Sequence, residues 1–129
     1  MVNTIQLLRD MIAIPSVNPM ATNSGAPVER AMGNFIETML VRARIDCERQ
    51  QVADGRDNVI GIVHANSGVR AAGVMLNPDM DTVPIDNMSI SPFDPTIKDG
   101  RIFGRGSCDA KASLAAMLTA VINYAQQSD

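Results

Sequence analysis

The chain is poor in the residues from which several kinds of site are built. It holds one histidine, His64, and two cysteines, Cys47 and Cys108, in 129 residues. The cysteines lie far apart without C-x-x-C spacing, which argues against a disulfide framework and for reduced thiols in the cytoplasm. A lone histidine is more often structural than catalytic, so Cys108 is a weak candidate nucleophile. No basic excess exists either: 11 Lys and Arg stand against 14 Asp and Glu, for a net charge of -3 and a pI near 5.0. Without a clustered basic footprint, nucleic acid and anionic membranes are poor partners. Long apolar runs are missing as well. The longest without charge, "ASLAAMLTAVINYA", falls short of the ~20 residues that a membrane span requires. "MVNTIQLLRDMIAIP" lacks a basic leader and carries Arg9 and Asp10 within its apolar stretch, so it does not read as a signal peptide. No repeat or low-complexity segment occurs, and Lys111 lacks the preceding glycine of a phosphate loop.

What is present suits one domain, with 46% hydrophobic residues to build a core. Asn3 and Gln6 have capping-box spacing ahead of Ile5, Leu8, Met11 and Ile12, a helical pattern that Pro15 ends. "SVNPMATNSGAP" reads as a surface loop. Pro27 then opens a second helix, with Val28, Met32, Phe35, Ile36 and Met39 on its buried face. From Ile45 the period changes, and "IDCERQQV", "NVIGIVH" and "AAGVML" read as three strands separated by the turn-rich "DGRDN" and "ANSGVR". "AAGVML" has no polar alternation, as in a strand covered on both faces. Asp99-Gly100 within "TIKDGRIF" predicts a hairpin. Ala110–Gln126 is a helix, apolar over a wide arc through Leu114, Ala115, Met117, Leu118, Val121 and Ile122. This order predicts an α/β domain, a layered central sheet flanked by helices. Its final helix leads to no further strand, so the sheet is expected to be incomplete.

Two stretches carry candidate chemistry. In "LNPDMDTVP", Asp79 and Asp81 follow the end of a predicted strand, where ligands of open α/β sheets bind. Residues i and i+2 of an extended chain project from one face, so both carboxylates can address one cation. For an isolated D-x-D, however, the commoner reading is a pair of turn residues. In "GRIFGRGSCDAKASLAAML", Gly104 and Gly106 permit tight backbone, and Asp109 stands where a helix N-terminus favours negative charge. Alone it reads as an N-cap.

Taken together, "MLNPDMDTVPIDNMSISPFDPTIKDGRIFGRGSCDAKASLAAML" resembles the segment bearing the first metal ligands of a dinuclear-zinc amidohydrolase and peptidase superfamily. That superfamily includes acetylornithine deacetylase, succinyl-diaminopimelate desuccinylase, aminoacylase and carboxypeptidase G. The resemblance runs from "LLRDMIAIPSVNP" through "RDNVIG" to the last helix. It implies a zinc-peptidase-like catalytic domain of which residues 1–129 are the N-terminal portion, with an inserted dimerisation domain and the C-terminal half absent. By the same resemblance Asp109 matches a carboxylate bridging two zinc ions, and Asp81 matches a catalytic-site acid that orients a metal-bound histidine. Lys111 and Arg105 match positions that shape the loop. The implied reaction is hydrolysis of an amide in a small N-acylated amino acid or peptide, with zinc activating a water.

The chain departs from that pattern at position 79, where Asp replaces the metal histidine. Asp79 can ligate an ion, but it adds an anion beside Asp81 and Asp109 and tilts the donor set toward manganese, with cobalt another alternative to zinc. Ala112 stands where glycine is usual. The glutamate pair, a further acidic ligand and the distal histidine of relatives have no counterpart within 129 residues. The chain alone is therefore expected to be inactive. A different expectation is a non-catalytic module that self-associates through exposed apolar surface.

Overall fold

Residues 1–18, 29–64 and 73–127 are described by a computed structural model, and their elements follow the local chemistry of the chain closely. Helix α1 spans Thr4–Ala13, with the extended Asn3 accepting hydrogen bonds from the backbone of Ile5 and Gln6. The second arm of the capping box does not form, because the Gln6 side chain turns along the helix, its oxygen accepting from Arg9 at 3.3 Å and its amide N–H donating to Asp10 at 2.7 Å. Leu7, Leu8, Met11 and Ile12 are buried, and Ile5 is exposed. The helix stops at Ile14, whose backbone turns extended ahead of Pro15.

Helix α2 covers Arg30–Arg42 and buries Met32, Gly33, Ile36 and Leu40, with Phe35 and Met39 half-buried against the same core. Its expected start at Pro27 and Val28 lies outside the described residues, as does most of the loop before it. The C-terminus closes as a Schellman turn: Arg44 is left-handed at φ 59°, its N–H donates to Val41, and that of Ile45 donates to Leu40. Leu40 and Ile45 then pack together over Gly61.

Strand β1, Asp46–Ala53, pairs antiparallel with β2, Arg56–Ile62, in a register from Asp46 opposite Ile62 to Ala53 opposite Arg56. Asp54 and Gly55 turn the chain, and α2 packs on this hairpin. The second hairpin is β3, Thr96–Lys98, with β4, Arg101–Phe103; Asp99 and Gly100 take φ of 51° and 73°, as a tight hairpin turn demands. Helix α3, Lys111–Gln127, lies against α1, and Leu114, Ala115, Leu118 and Ile122 complete a core with Met11 and Ile12.

The chain is α/β, with its strands in two separate two-stranded antiparallel sheets among the described residues. The expected strand "AAGVML" is not one over Gly73–Leu76, while Ala71, Ala72 and the turn "ANSGVR" lie outside the described residues. A strand needs a ladder partner, and among the described residues the pairing nearest this segment is an isolated parallel bridge between Val17 and Thr82. Val74 and Met75 consequently stand 88% and 87% exposed. No helix among the described residues is long and apolar enough to cross a membrane.

Candidate functional site

The exit of α1 organises the site. Past Pro15 the chain runs beside residues 81–83: Thr82 N–H donates to Ser16 at 2.8 Å, and Asn18 N–H donates to Thr82 at 2.8 Å. The Asn18 side-chain amide reaches the Asp81 carboxylate, Nδ2 to Oδ2, at 2.6 Å. Asp81 is thus bonded to a residue 63 positions away, not within a local turn.

The second stretch is fastened to the same place. Lys111, the first residue of α3, is fully buried, and its ammonium donates to the carbonyls of Met11 at 2.9 Å and Ile14 at 2.7 Å. A cation there binds the Ile14 carbonyl, adds a second donor to the Met11 carbonyl that already accepts from Ile14 N–H, and complements the helix dipole. Burial lowers the Lys111 pKa to about 8. Its ring neighbour is Phe93, with Nζ 6.0 Å from the centroid. Gly106 is a structural requirement, since at φ 84° a Cβ would stand 2.8 Å from Lys111 Cδ and 3.0 Å from Thr82 Cγ2. Arg105 ties the outer edge, its guanidinium donating to the Pro84 carbonyl at 2.8 Å and its backbone N–H to Pro92 at 2.7 Å.

Between these stretches lies a cleft of about 400 Å³, lined by Asn18, Asp79, Asp81, Thr82, Val83, Pro84, Asp109 and Ala110. All three acids singled out in the sequence therefore face one space. Asp79 and Asp109 are exposed and Asp81 is half-buried. Asp109 precedes α3 by two residues, through a cis peptide to Ala110. Among the described residues no Lys, Arg or His forms an ion pair with any of the three. The nearby guanidinium of Arg56 feels the charge of Asp81, but it is held by the buried Glu29, with Nε to Oε2 at 3.0 Å.

Carboxylates that share a cleft with no ion-pair partner among the described residues have the chemistry of a cation site. Yet among the described residues no three His, Cys, Asp or Glu side chains come close enough to hold an ion together. The donors present do not by themselves fit a closed zinc site, so no catalytic step is assigned through an ion. Cys108 is exposed, and His64 is exposed at the end of the first hairpin beside Asp46, 3.1 Å from its carboxylate. Neither lines the cleft. Sequence reasoning missed Asn18, hidden in a turn-rich segment with nothing to mark it. The burial of Lys111 was visible in principle, since it shares one helical stripe with Leu114, Ala115, Leu118 and Ile122.

Comparison with known proteins agrees with these features. Residues 75–129, which hold both acidic stretches, match the family model described as Peptidase family M20/M25/M40. A succinyl-diaminopimelate desuccinylase of Pelagibacter ubique is 28% identical over 125 residues, covering 95% of this chain and 30% of that protein. A probable succinyl-diaminopimelate desuccinylase of Staphylococcus epidermidis is 30% identical over 127 residues, 96% of this chain and 28% of its own length. The desuccinylase of Buchnera aphidicola is 30% identical over 128 residues, 97% of this chain and 30% of its own. The chain thus spans less than a third of the length of these relatives. Residues 75–129 thus match the M20/M25/M40 peptidase family model across both acidic stretches, and nearly all of the chain aligns with part of these desuccinylases.

Proposed function

We propose that the protein carrying this chain is a metal-dependent hydrolase of amide bonds, an N-acyl amino acid deacylase or exopeptidase, and that the cleft is one wall of its active site. The observation that supports this reading is the convergence of Asp79 and Asp81 with Asp109, from separate stretches, on one cleft where none of the three has an ion-pair partner among the described residues. The relatives' names, succinyl-diaminopimelate desuccinylases, support an N-acylated amino acid as the substrate class. Residues 1–129 then correspond to the N-terminal portion of the catalytic domain, and a dimerisation domain and the C-terminal half belong to the rest of the protein. Asp81 stands at the position of the catalytic-site acid, without the histidine N–H which that acid accepts in relatives, while Asp79 and Asp109 offer carboxylates to a divalent ion, zinc by the family's habit, whose other ligands come from elsewhere. The chain alone is accordingly inactive.

The test is hydrolysis by the product of the complete natural reading frame containing these codons. With zinc, manganese or cobalt it should release free amine from N-succinyl or N-acetyl amino acids or from dipeptides, and the 129-residue chain should release none. A folded full-frame product that cleaves none of these substrates overturns the assignment. Turnover by the short chain overturns its predicted inactivity.

A second reading, a non-catalytic module that pairs with another copy of itself, draws on the exposed run Val74, Met75 and Leu76. It requires a concentration-dependent mass in sedimentation that Met75→Glu abolishes. A strictly monomeric wild type rules it out.

A further inference from the structure

We propose that Asn18 is a positioning residue of the cleft, whose side-chain amide fixes the Asp81 carboxylate relative to Asp109. The inference rests on the amide hydrolase reading only for the use to which the held carboxylate is put. The hydrogen bond from Asn18 Nδ2 to Asp81 Oδ2 is short, at 2.6 Å. It does not act alone: the backbone of the same residue donates to Thr82 at 2.8 Å, and Thr82 donates back to Ser16 at 2.8 Å. Asn18 therefore grips residues 81 and 82 through both main chain and side chain, which removes freedom from the carboxylate as well as from its backbone.

The choice of residue type follows from the charge in the cleft. Three carboxylates share this space, and among the described residues none is in an ion pair. A Lys or Arg in place of Asn18 would hold Asp81 more strongly but would discharge the cluster. A neutral amide donates one N–H to a single carboxylate oxygen and leaves the negative field of the cleft unchanged. The anchor also reaches the other stretch. Asn18 lies four residues beyond Ile14, whose carbonyl, with that of Met11, binds Lys111 at the start of α3. One short segment, residues 11–18, thus holds both the strand-like stretch of Asp81 and the turn of Asp109, and Asn18 is the member of it that touches a cleft acid directly.

The side-chain amide of Asn18 gives a direct readout in 1H–15N spectra of the 129-residue chain. Asp81→Ala should shift its signal and speed its exchange with water more than about tenfold, because the N–H bonded to the carboxylate is released. Asp79→Ala should leave it in place. Asn18→Asp sets two carboxylates against each other and should displace the Thr82 backbone signal, and the exchange variant Asn18→Asp with Asp81→Asn should return it by restoring a donor and an acceptor. An Asn18 signal indifferent to Asp81, or a Thr82 signal alike in all of these variants, overturns the proposal. In the complete reading frame, Asn18→Ala should lower kcat about tenfold or more with KM little changed. A change confined to KM contradicts a positioning role. The two claims separate cleanly: a responsive amide in a full-frame product without hydrolase activity defeats the functional reading alone, and an unresponsive amide in an active enzyme defeats this one alone.

Discussion

Single residues decide how the acids are presented, and they differ in how visible they are in sequence. The i, i+2 spacing of Asp79 and Asp81 announced that both could address one space, and both line the cleft. Asn18 has no such mark, because a hydrogen bond spanning 63 residues is written in the fold and not in local spacing. Lys111 offers a pH signature. Burial lowers its pKa to about 8 from 10.5, so between those values the unfolded chain binds more protons than the folded one. Its contribution to stability therefore rises as pH climbs through 8 toward 10.5. Cys47 works the other way, since burial raises its thiol above 9.0 and stability falls as pH rises through that range. Comparing denaturant midpoints of wild type and Lys111→Met cancels the cysteine. The variant should be about 1–3 kcal/mol less stable at neutral pH, having lost two donors to α1, and the gap should widen toward alkaline pH. A gap constant with pH would contradict the buried ammonium. Gly106→Ala, forced into positive φ against Lys111 Cδ at 2.8 Å, should cost about 1–3 kcal/mol by the same measurement.

At the scale of elements, what local chemistry dictates was legible. The Asn3 cap, the Asp99-Gly100 hairpin and the amphipathic faces of α2 and α3 all follow from spacing and turn residues. Asn3→Ala should lower stability by about 1 kcal/mol in a chemical melt, the usual cost of an N-cap. Ile122→Ala, at 2% exposure in the α1–α3 core, should cost about 2–5 kcal/mol. The stretch "AAGVML" was illegible for a physical reason. Its apolar run records a preference for burial on two faces, but a strand forms only where a neighbour supplies the ladder, and Gly73–Leu76 finds none among the described residues. Composition states what a segment needs, and pairing states whether it is met.

For the whole molecule the outcome follows from the same contrast. The described residues build a real core around α1, α2 and α3, yet leave Val74, Met75 and the cleft-lining Val83 well exposed. The chain spans about 30% of the length of its relatives, and its cleft presents acids without closing an ion site. Both features agree with a catalytic wall that other parts of a hydrolase complete. The most direct measurement is kcat/KM for an N-succinyl amino acid with the complete reading frame, wild type against Asp109→Asn, and with Asp99→Asn in the β3–β4 turn as control. The account predicts a loss of about a thousandfold for the first, in line with removal of a group that acts on the transition state, and near-wild-type turnover for the second. Full activity in Asp109→Asn would contradict it.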